Sequence, residues 1–372
     1  VTSSFLLAGG GTAGHVNPLL ATAAVLAARG HQVAALGTAE GLEQDLVPRA
    51  GLQLHIVPRV PMPRSITVEW FRLPGKLKAA VDAAARAIEA THADAVVGFG
   101  GFVSTPAYFA ARRLGVPIVV HEGNVRPGIA NRIGARLTRH VATTYPETPL
   151  KGATLTGLPV RAEIADMAAV LADDGSRKEA QEFARISLGF PADAPVLLVT
   201  GGSQGAASLN AATVESIERL AGHGVYVHHV TGRGKAAEAE AAKGGLSANL
   251  REHYRIDEYV HDMATAYAAA GAVMCRSGVG TVWEVTALGI PALYVPLPHG
   301  NGEQALNAGP VVEAGAATMI RDADLNAASM EQAVERMLLH KSTAVAMSQA
   351  ARRVGVPDGA DRLADVVEGA AR

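Results

Sequence analysis

Residues 4–20 read "SFLLAGGGTAGHVNPLL", and the fold of the whole chain turns on them. An unbroken apolar run meets three glycines and then a second apolar segment. Strands buried on both faces lose the polar–apolar alternation, so this order is the start of a parallel βαβ unit: strand, glycine loop, helix. Asn17 suits an N-cap and Pro18 a first helical position, which predicts the helix start there. Gly30 suits its stop, ahead of the next strand "HQVAALG".

The plan returns near residue 195, where "APVLLVT" leads through "GGSQGAASLN" into a helix ending about Leu220 and then "VYVHHV". Further buried strands are "ADAVVGFGG" and "VPIVVHEGN" in the first half, "AVMCRSG" and "IPALYVP" in the second. The expected fold class is α/β: two doubly wound Rossmann-like domains facing each other across a cleft. Expected boundaries are 1–160, a helical linker over 161–187, a second domain over 188–340, and a C-terminal helix over 341–372 that can pack back on the N-terminal domain.

Composition agrees. A chain of 372 residues exceeds one typical domain of roughly 100–200. With 49% hydrophobic and 18% charged residues it has material for two cores. A net charge of −2 gives no basic excess for nucleic acid, so any anionic ligand must be met locally. The one cysteine, Cys275, cannot form an internal disulfide, fits a reducing compartment and reads as a core residue. With no basic leader before "FLLA" and no run of about 18 apolar residues, the chain reads as a cytosolic protein that at most touches a membrane surface.

Ligands of open parallel sheets bind beyond the carboxyl ends of the strands. Gly9, Gly11 and Gly14 formally satisfy GxGxxG, but a dinucleotide site also wants an acid at the end of the second strand. The nearest is Glu40, beyond that strand, so an NAD-dependent oxidoreductase loses its support and a general anion site at a helix N-terminus remains. His15 at the helix mouth is either a general base or a loop-bonding histidine. Glu284 closes "TVWE", which matches a capping box, and can equally hold a ribose diol. Arg161 after "TGLPV" is a diphosphate contact or a salt-bridge partner. His228 and His229 are adjacent on a strand and point to opposite faces, and Asp322 and Asp324 read as turn and cap residues, so metal-independent chemistry without a cofactor is expected. Between Arg59 and Arg86, basic residues alternate with Trp70, Phe71 and Leu73; this is a membrane-facing patch or a solvated helix with a core-facing aromatic side.

Taken together, "GGGTAGHVNP", "GFGGFVSTP", "HEGNVRPGIANR", "TGLPVR", "GGSQGAASLN", "DEYVHDMATAYAAAGAVMCRSGVGTVWEV" and "GEQALNAGP" resemble the MurG transferases, inverting GT-B glycosyltransferases of peptidoglycan synthesis. The resemblance implies transfer of N-acetylglucosamine (GlcNAc) from UDP-GlcNAc to the muramyl 4-hydroxyl of an undecaprenyl-diphosphate-linked muramyl-pentapeptide (lipid I to lipid II). It implies a peripheral place on the cytoplasmic membrane face, with the acceptor on the N-terminal domain and the UDP-sugar on the C-terminal one. Another GT-B transferase with a lipid acceptor is the alternative. Implied partners are the membrane surface and proteins of cell-wall synthesis and division, not nucleic acid.

By motif, His15 matches the general base, and Thr12, Ala13 and Gly14 match the loop beside sugar and diphosphate. Asn124, Arg161 and Ser203 match donor and diphosphate contacts, and Val260 the backbone that reads uracil. Val279, Gly280 and Thr281 match the nucleotide cradle, Glu284 the ribose contact, and Glu303 with Gln304 the sugar contacts. Trp70, Phe71, Arg72 and Lys76 match the membrane-facing side. Glu303 stands where the family more often has glutamine, and "GVGTVWE" replaces "GALTVSE".

Overall fold

The structure is a computed structural model that describes residues 2–60, 69–202, 205–299 and 301–372, without the side chains of 69–72. The chain divides into two compact units, one running to Ala162 and including Asp358–Arg372, the other Glu163–Pro357.

The first unit alternates β1 (Ser4–Ala8), α1 (Ala13–Ala28), β2 (Gln32–Gly37), α2 (Glu43–Arg49), β3 (Gln53–Ile56), α3 (Glu69–Thr91), β4 (Ala95–Gly98), α4 (Gly101–Leu114), β5 (Ile118–Glu122), α5 (Ile129–Gly134), β6 (His140–Thr143) and β7 (Thr154–Leu155). Among the described residues its sheet has seven strands in the order β3-β2-β1-β4-β5-β6-β7, every pairing parallel. The strand order reverses between β1 and β4, so the loop after β1 opens at the topological switch point. Both faces are covered, as the unbroken apolar strands require. Leu6, Leu36 and Val96 pack with α3 and α4, while their neighbours Phe5, Ala35 and Val97 pack with α1 on the other side.

In the second unit α6 (Ala162–Val170) and α7 (Asp174–Ser187) precede β8 (Val196–Thr200), α8 (Ala207–Gly222), β9 (Tyr226–Val230), α9 (Ala237–Gly245), α10 (Ala248–Arg251) and β10 (Tyr254–Asp257). There follow α11 (Met263–Ala269), β11 (Ala272–Cys275), α12 (Val279–Ala287), β12 (Ala292–Tyr294), α13 (Glu303–Glu313), β13 (Ala317–Met319), α14 (Ala327–Leu338) and α15 (Lys341–Val354). Among the described residues this sheet has six strands, β10-β9-β8-β11-β12-β13, again all parallel, with the reversal between β8 and β11. Cys275 is a core residue, and burial raises its thiol pKa far above the ordinary value.

Two local expectations change. Helix α1 begins at Ala13 with Thr12 as N-cap, and Pro18 lies inside it. The chain is already helical when it leaves the glycine loop, and Pro18 costs only the amide that would have bonded the Gly14 carbonyl. The segment after residue 340 is two helices: α15 packs on α12 and α14 of the second unit, while α16 (Gly359–Ala370) returns to α1, β5 and β6 of the first.

Arg29 near the end of α1 fastens α16 by donating to Asp365 at 2.7 Å, Asp361 at 2.9 Å and Glu368 at 3.2 Å. Exposed pairs of this kind contribute little on their own, so the docking rests on Leu363, Ala364 and Val367, which are buried against the sheet. Leu363→Ala should therefore destabilise the first unit by ~2–5 kcal/mol, as deletion of a buried leucine does. Urea unfolding followed by first-unit probes checks this; an unchanged midpoint would mean that α16 is not part of that core.

Candidate active site

In the first unit the site starts from a buried carboxylate. Glu43, at the start of α2, is 0% exposed. Its Oε1 accepts from Thr38 N at 2.9 Å and Thr38 Oγ1 at 2.7 Å, and its Oε2 from Gly11 N at 3.0 Å. Burial alone would raise its pKa, but the Gly11 and Thr38 donors outweigh it and hold the carboxyl below its ordinary value. The glycine loop is thus tied to the end of β2 by a charge-assisted clamp.

That clamp fixes the loop carbonyl that orients His15. The half-buried ring sits in the first turn of α1, with Nδ1 3.1 Å from Gly10 O and 3.2 Å from Thr12 Oγ1. A carbonyl only accepts, so Nδ1 carries the proton and Nε2 keeps its lone pair. The backbone of "GFGG" passes close beside the ring. A Cβ on Gly100 would stand 3.0 Å from His15 Nε2, and one on Gly101 2.6 Å from Gly10 O; both residues have positive φ, 103° and 79°. Only glycine fits both the conformation and the approach.

Beyond β5 a second buried carboxylate shapes the next loop. Glu122 accepts from Asn124 N at 2.9 Å, Asn124 Nδ2 at 3.2 Å, Gly128 N at 2.9 Å and Asn131 Nδ2 at 3.0 Å. Tyr108 OH donates to Asn131 Oδ1 at 2.8 Å, locking that amide from α4. His121 is buried, and desolvation lowers its pKa to about 4 despite the Gly157 carbonyl at 3.2 Å, so it is neutral. Thr12, Ala13, Gly14, His15, Asn124 and Arg161 all follow carboxyl ends of strands of this sheet; Arg161 is half-buried, just ahead of α6.

In the second unit the corresponding loops are held by an arginine. Arg276, after β11, donates through Nη1 to Asp322 and to the carbonyls of Val295 (3.1 Å) and Pro296 (3.3 Å), and through Nη2 to Ser208 Oγ (2.9 Å). Ser208 Oγ in turn donates to Asp322. The planar fork joins the ends of β11 and β12, the start of α8 and the turn after β13. Asp322 is therefore an anchor; Asp324 pairs with Arg321, and Asn326 caps α14 with a reciprocal Ser329 bond.

The capping-box reading of Glu284 fails. Helix α12 starts at Val279 with Gly278 as N-cap, which puts Thr281 in the third helical position and Glu284 in the sixth. Glu284 is buried, and its Oε2 accepts from Tyr267 OH at 3.4 Å. Val279, Gly280 and Thr281 form the first turn of this helix. Val260 lies after β10 beside Tyr259, whose ring carries Arg233 at 4.6 Å and an edge contact from His261 at 4.8 Å. Glu303 is exposed at the start of α13, while Gln304 Oε1 accepts from Leu297 N at 2.9 Å. Ser203 lies outside the described residues, as do the side chains of Trp70, Phe71 and Arg72; Lys76 is on α3.

The adjacent histidines serve different networks. His228 Nε2 donates to Asp257 at 2.7 Å, the main cause that holds the Asp257 carboxyl down at about 2. His229 accepts from Tyr254 OH at 2.7 Å and donates to Asn210 Oδ1 at 3.0 Å, while Asn210 Nδ2 donates to Thr231 O at 3.0 Å. The last bond steadies the turn after β9, where Thr231 O is so close to Gly205 that a Cβ would collide with it.

Known proteins resemble the chain along its length. Residues 5–143 match the glycosyltransferase family 28 N-terminal domain and residues 196–363 its C-terminal domain. A protein of Frankia casuarinae is 47% identical over 370 residues, 99% of this chain and 96% of its own. One from Paenarthrobacter aurescens is 44% identical over 366 residues, 98% and 95%. Both are named UDP-N-acetylglucosamine–N-acetylmuramyl-(pentapeptide) pyrophosphoryl-undecaprenol N-acetylglucosamine transferase. The crystal structure of Acinetobacter baumannii MurG superposes with a TM-score of 0.77 at 26% identity over 99% of both chains. A calicheamicin glycosyltransferase shares the fold, with a TM-score of 0.68 at 21% identity over 99% and 98% of the two chains.

Glu43→Gln tests the clamp. The new NH₂ would face N–H and O–H donors, so the variant should lose ~2 kcal/mol, as for hydrogen bonds to a buried charge. Because the folded-state pKa is lowered, the stabilisation is complete above the ordinary value of 4.5 and is lost as pH falls through the folded-state value. Urea midpoints of wild type and variant should differ by a constant amount above about pH 5 and converge in acid. A gap that widened in acid would refute the clamp.

Proposed function

The chain belongs to the MurG family of glycosyltransferases, and on that premise we propose that it transfers GlcNAc from UDP-GlcNAc to the muramyl 4-hydroxyl of undecaprenyl-diphosphate-linked muramyl-pentapeptide. The supporting observation is the His15 ring, whose Nδ1 faces the Gly10 carbonyl and whose Nε2 is left to take a proton. As the acceptor hydroxyl attacks the anomeric carbon, its proton passes to Nε2. UDP departs from the opposite face, and configuration inverts in one displacement.

The leaving diphosphate gains negative charge, which amides at helix starts and Arg161 offset. Thr12, Ala13 and Gly14 supply the start of α1; Ser203 and the first turn of α12, with Val279, Gly280 and Thr281, supply the second unit's share. Asn124 contacts the donor from the loop that Glu122 holds. Glu284 offers a carboxylate to the ribose diol, and the backbone at Val260 reads the uracil edge. With Oε1 engaged by Leu297, Gln304 meets the sugar hydroxyls through its amide NH₂, next to Glu303.

A peripheral place at the cytoplasmic membrane face follows from a lipid-linked acceptor. Among the described residues no helix is long and apolar enough to cross a membrane. The aromatic and basic residues Trp70, Phe71, Arg72 and Lys76 suit an anionic surface through burial and attraction combined.

His15→Ala should keep its affinity for UDP and lose about 10²–10⁴-fold in kcat, the contribution of a general base. UDP release with UDP-GlcNAc and a short-chain lipid I analogue measures this, and undiminished turnover would remove His15 as the base. Replacing Trp70, Phe71 and Arg72 together should reduce flotation with vesicles containing phosphatidylglycerol; equal flotation would count against the patch.

A further inference from the structure

The strands of the second unit have a far end as well. At the amino ends of β11 and β12, away from the glycine loops, lies a cavity of about 330 Å³ whose wall includes Asp174, Arg177, Gln181, Gly289, Ser348 and Arg352. That volume is within the usual range of small-molecule pockets, about 300–1,000 Å³.

The Arg177 guanidinium and the aliphatic stem of Arg352 meet there over a glycine. A Cβ on Gly289 would stand 2.6 Å from Arg352 Cγ and 3.0 Å from Arg177 Nη2, and its φ of +68° favours glycine. The bare backbone is therefore what lets the two arginines share the cavity. Arg177 Nη2 donates to Leu288 O at the end of α12, 3.2 Å away, but its Nε is buried and, among the described residues, has no hydrogen-bond partner. Arg352 Nη1 donates to Asp174 at 2.8 Å, yet Asp174 is 85% exposed, so water screens that pair.

Burial first, and the Arg352 charge second, lower the Arg177 pKa to about 10, with Asp174 offsetting part of this; the group stays charged at neutral pH. Two like charges lining one concave site cost free energy that an anion between them would recover. A tetrahedral oxyanion fits best, because its several oxygens can take N–H donors from both forks at once. We propose that this cavity is an anion site that binds the phosphoryl group of a small soluble phosphate or diphosphate between Arg177 and Arg352.

The test uses the full chain saturated with UDP, so that the nucleotide-binding loops are filled, and titrates sodium pyrophosphate and inorganic phosphate calorimetrically against chloride of equal ionic strength. Saturable binding is expected, weakened about tenfold or more by Arg352→Gln and by Arg177→Gln, with UDP affinity unchanged. Arg352 is partly exposed, so its variant keeps the test decisive if loss of the Arg177 bond to α12 impairs folding. Binding no stronger than in chloride, or equal in wild type and Arg352→Gln, would overturn the proposal. So would binding seen only with phosphatidylglycerol vesicles, since the site would then read a lipid headgroup.

Discussion

The first unit's site depends on one constraint: a glycine loop bare enough to present amides must still hold a fixed shape. Glycines lose more backbone entropy on ordering than any other residue, so the shape has to be imposed from outside. Glu43 imposes it, with one carboxylate oxygen on Gly11 and the other on Thr38. The position of the Gly10 carbonyl follows, then the direction of the His15 ring. Gly100 and Gly101 supply the backbone that can approach that ring.

The two units repeat one topology and anchor it with opposite chemistry. In the first, buried carboxylates gather backbone N–H groups: Glu43 after β2 and Glu122 at the end of β5. In the second, the Arg276 fork gathers carbonyls and the Ser208–Asp322 pair. Either solution satisfies polar groups that the buried strand ends of a parallel sheet would otherwise leave unpaired. An α/β scaffold thus becomes a rigid mount for loops that carry chemistry.

Much of this was legible in the chain. Unbroken apolar strands ahead of two glycine loops led to two doubly wound sheets; the carboxyl ends of strands pointed to His15 and Glu284 as candidates, and the family resemblance added Asn124. What could not be read was set by partners distant in sequence. Glu43 looks like any helix-start glutamate until its burial against Gly11 is seen, and Asp322 looks like a turn residue until Arg276 reaches it. Local capping preference points to Asn17, but loop geometry starts the helix at Ala13, and "TVWE" forms no capping box because Gly278, with no side chain at all, takes the N-cap. Local preference amounts to about a kilocalorie, and tertiary anchoring exceeds it.

The loop carbonyl of Gly10 selects the tautomer of His15 and so leaves Nε2 as the nitrogen that accepts a proton. Nitrogen-15 NMR of histidine-labelled protein, recorded where the imidazole is neutral, reads this directly. His15 should give a signal pair with a protonated, pyrrole-like Nδ1 and a bare, pyridine-like Nε2. The reverse pattern, with the proton on Nε2, would contradict it.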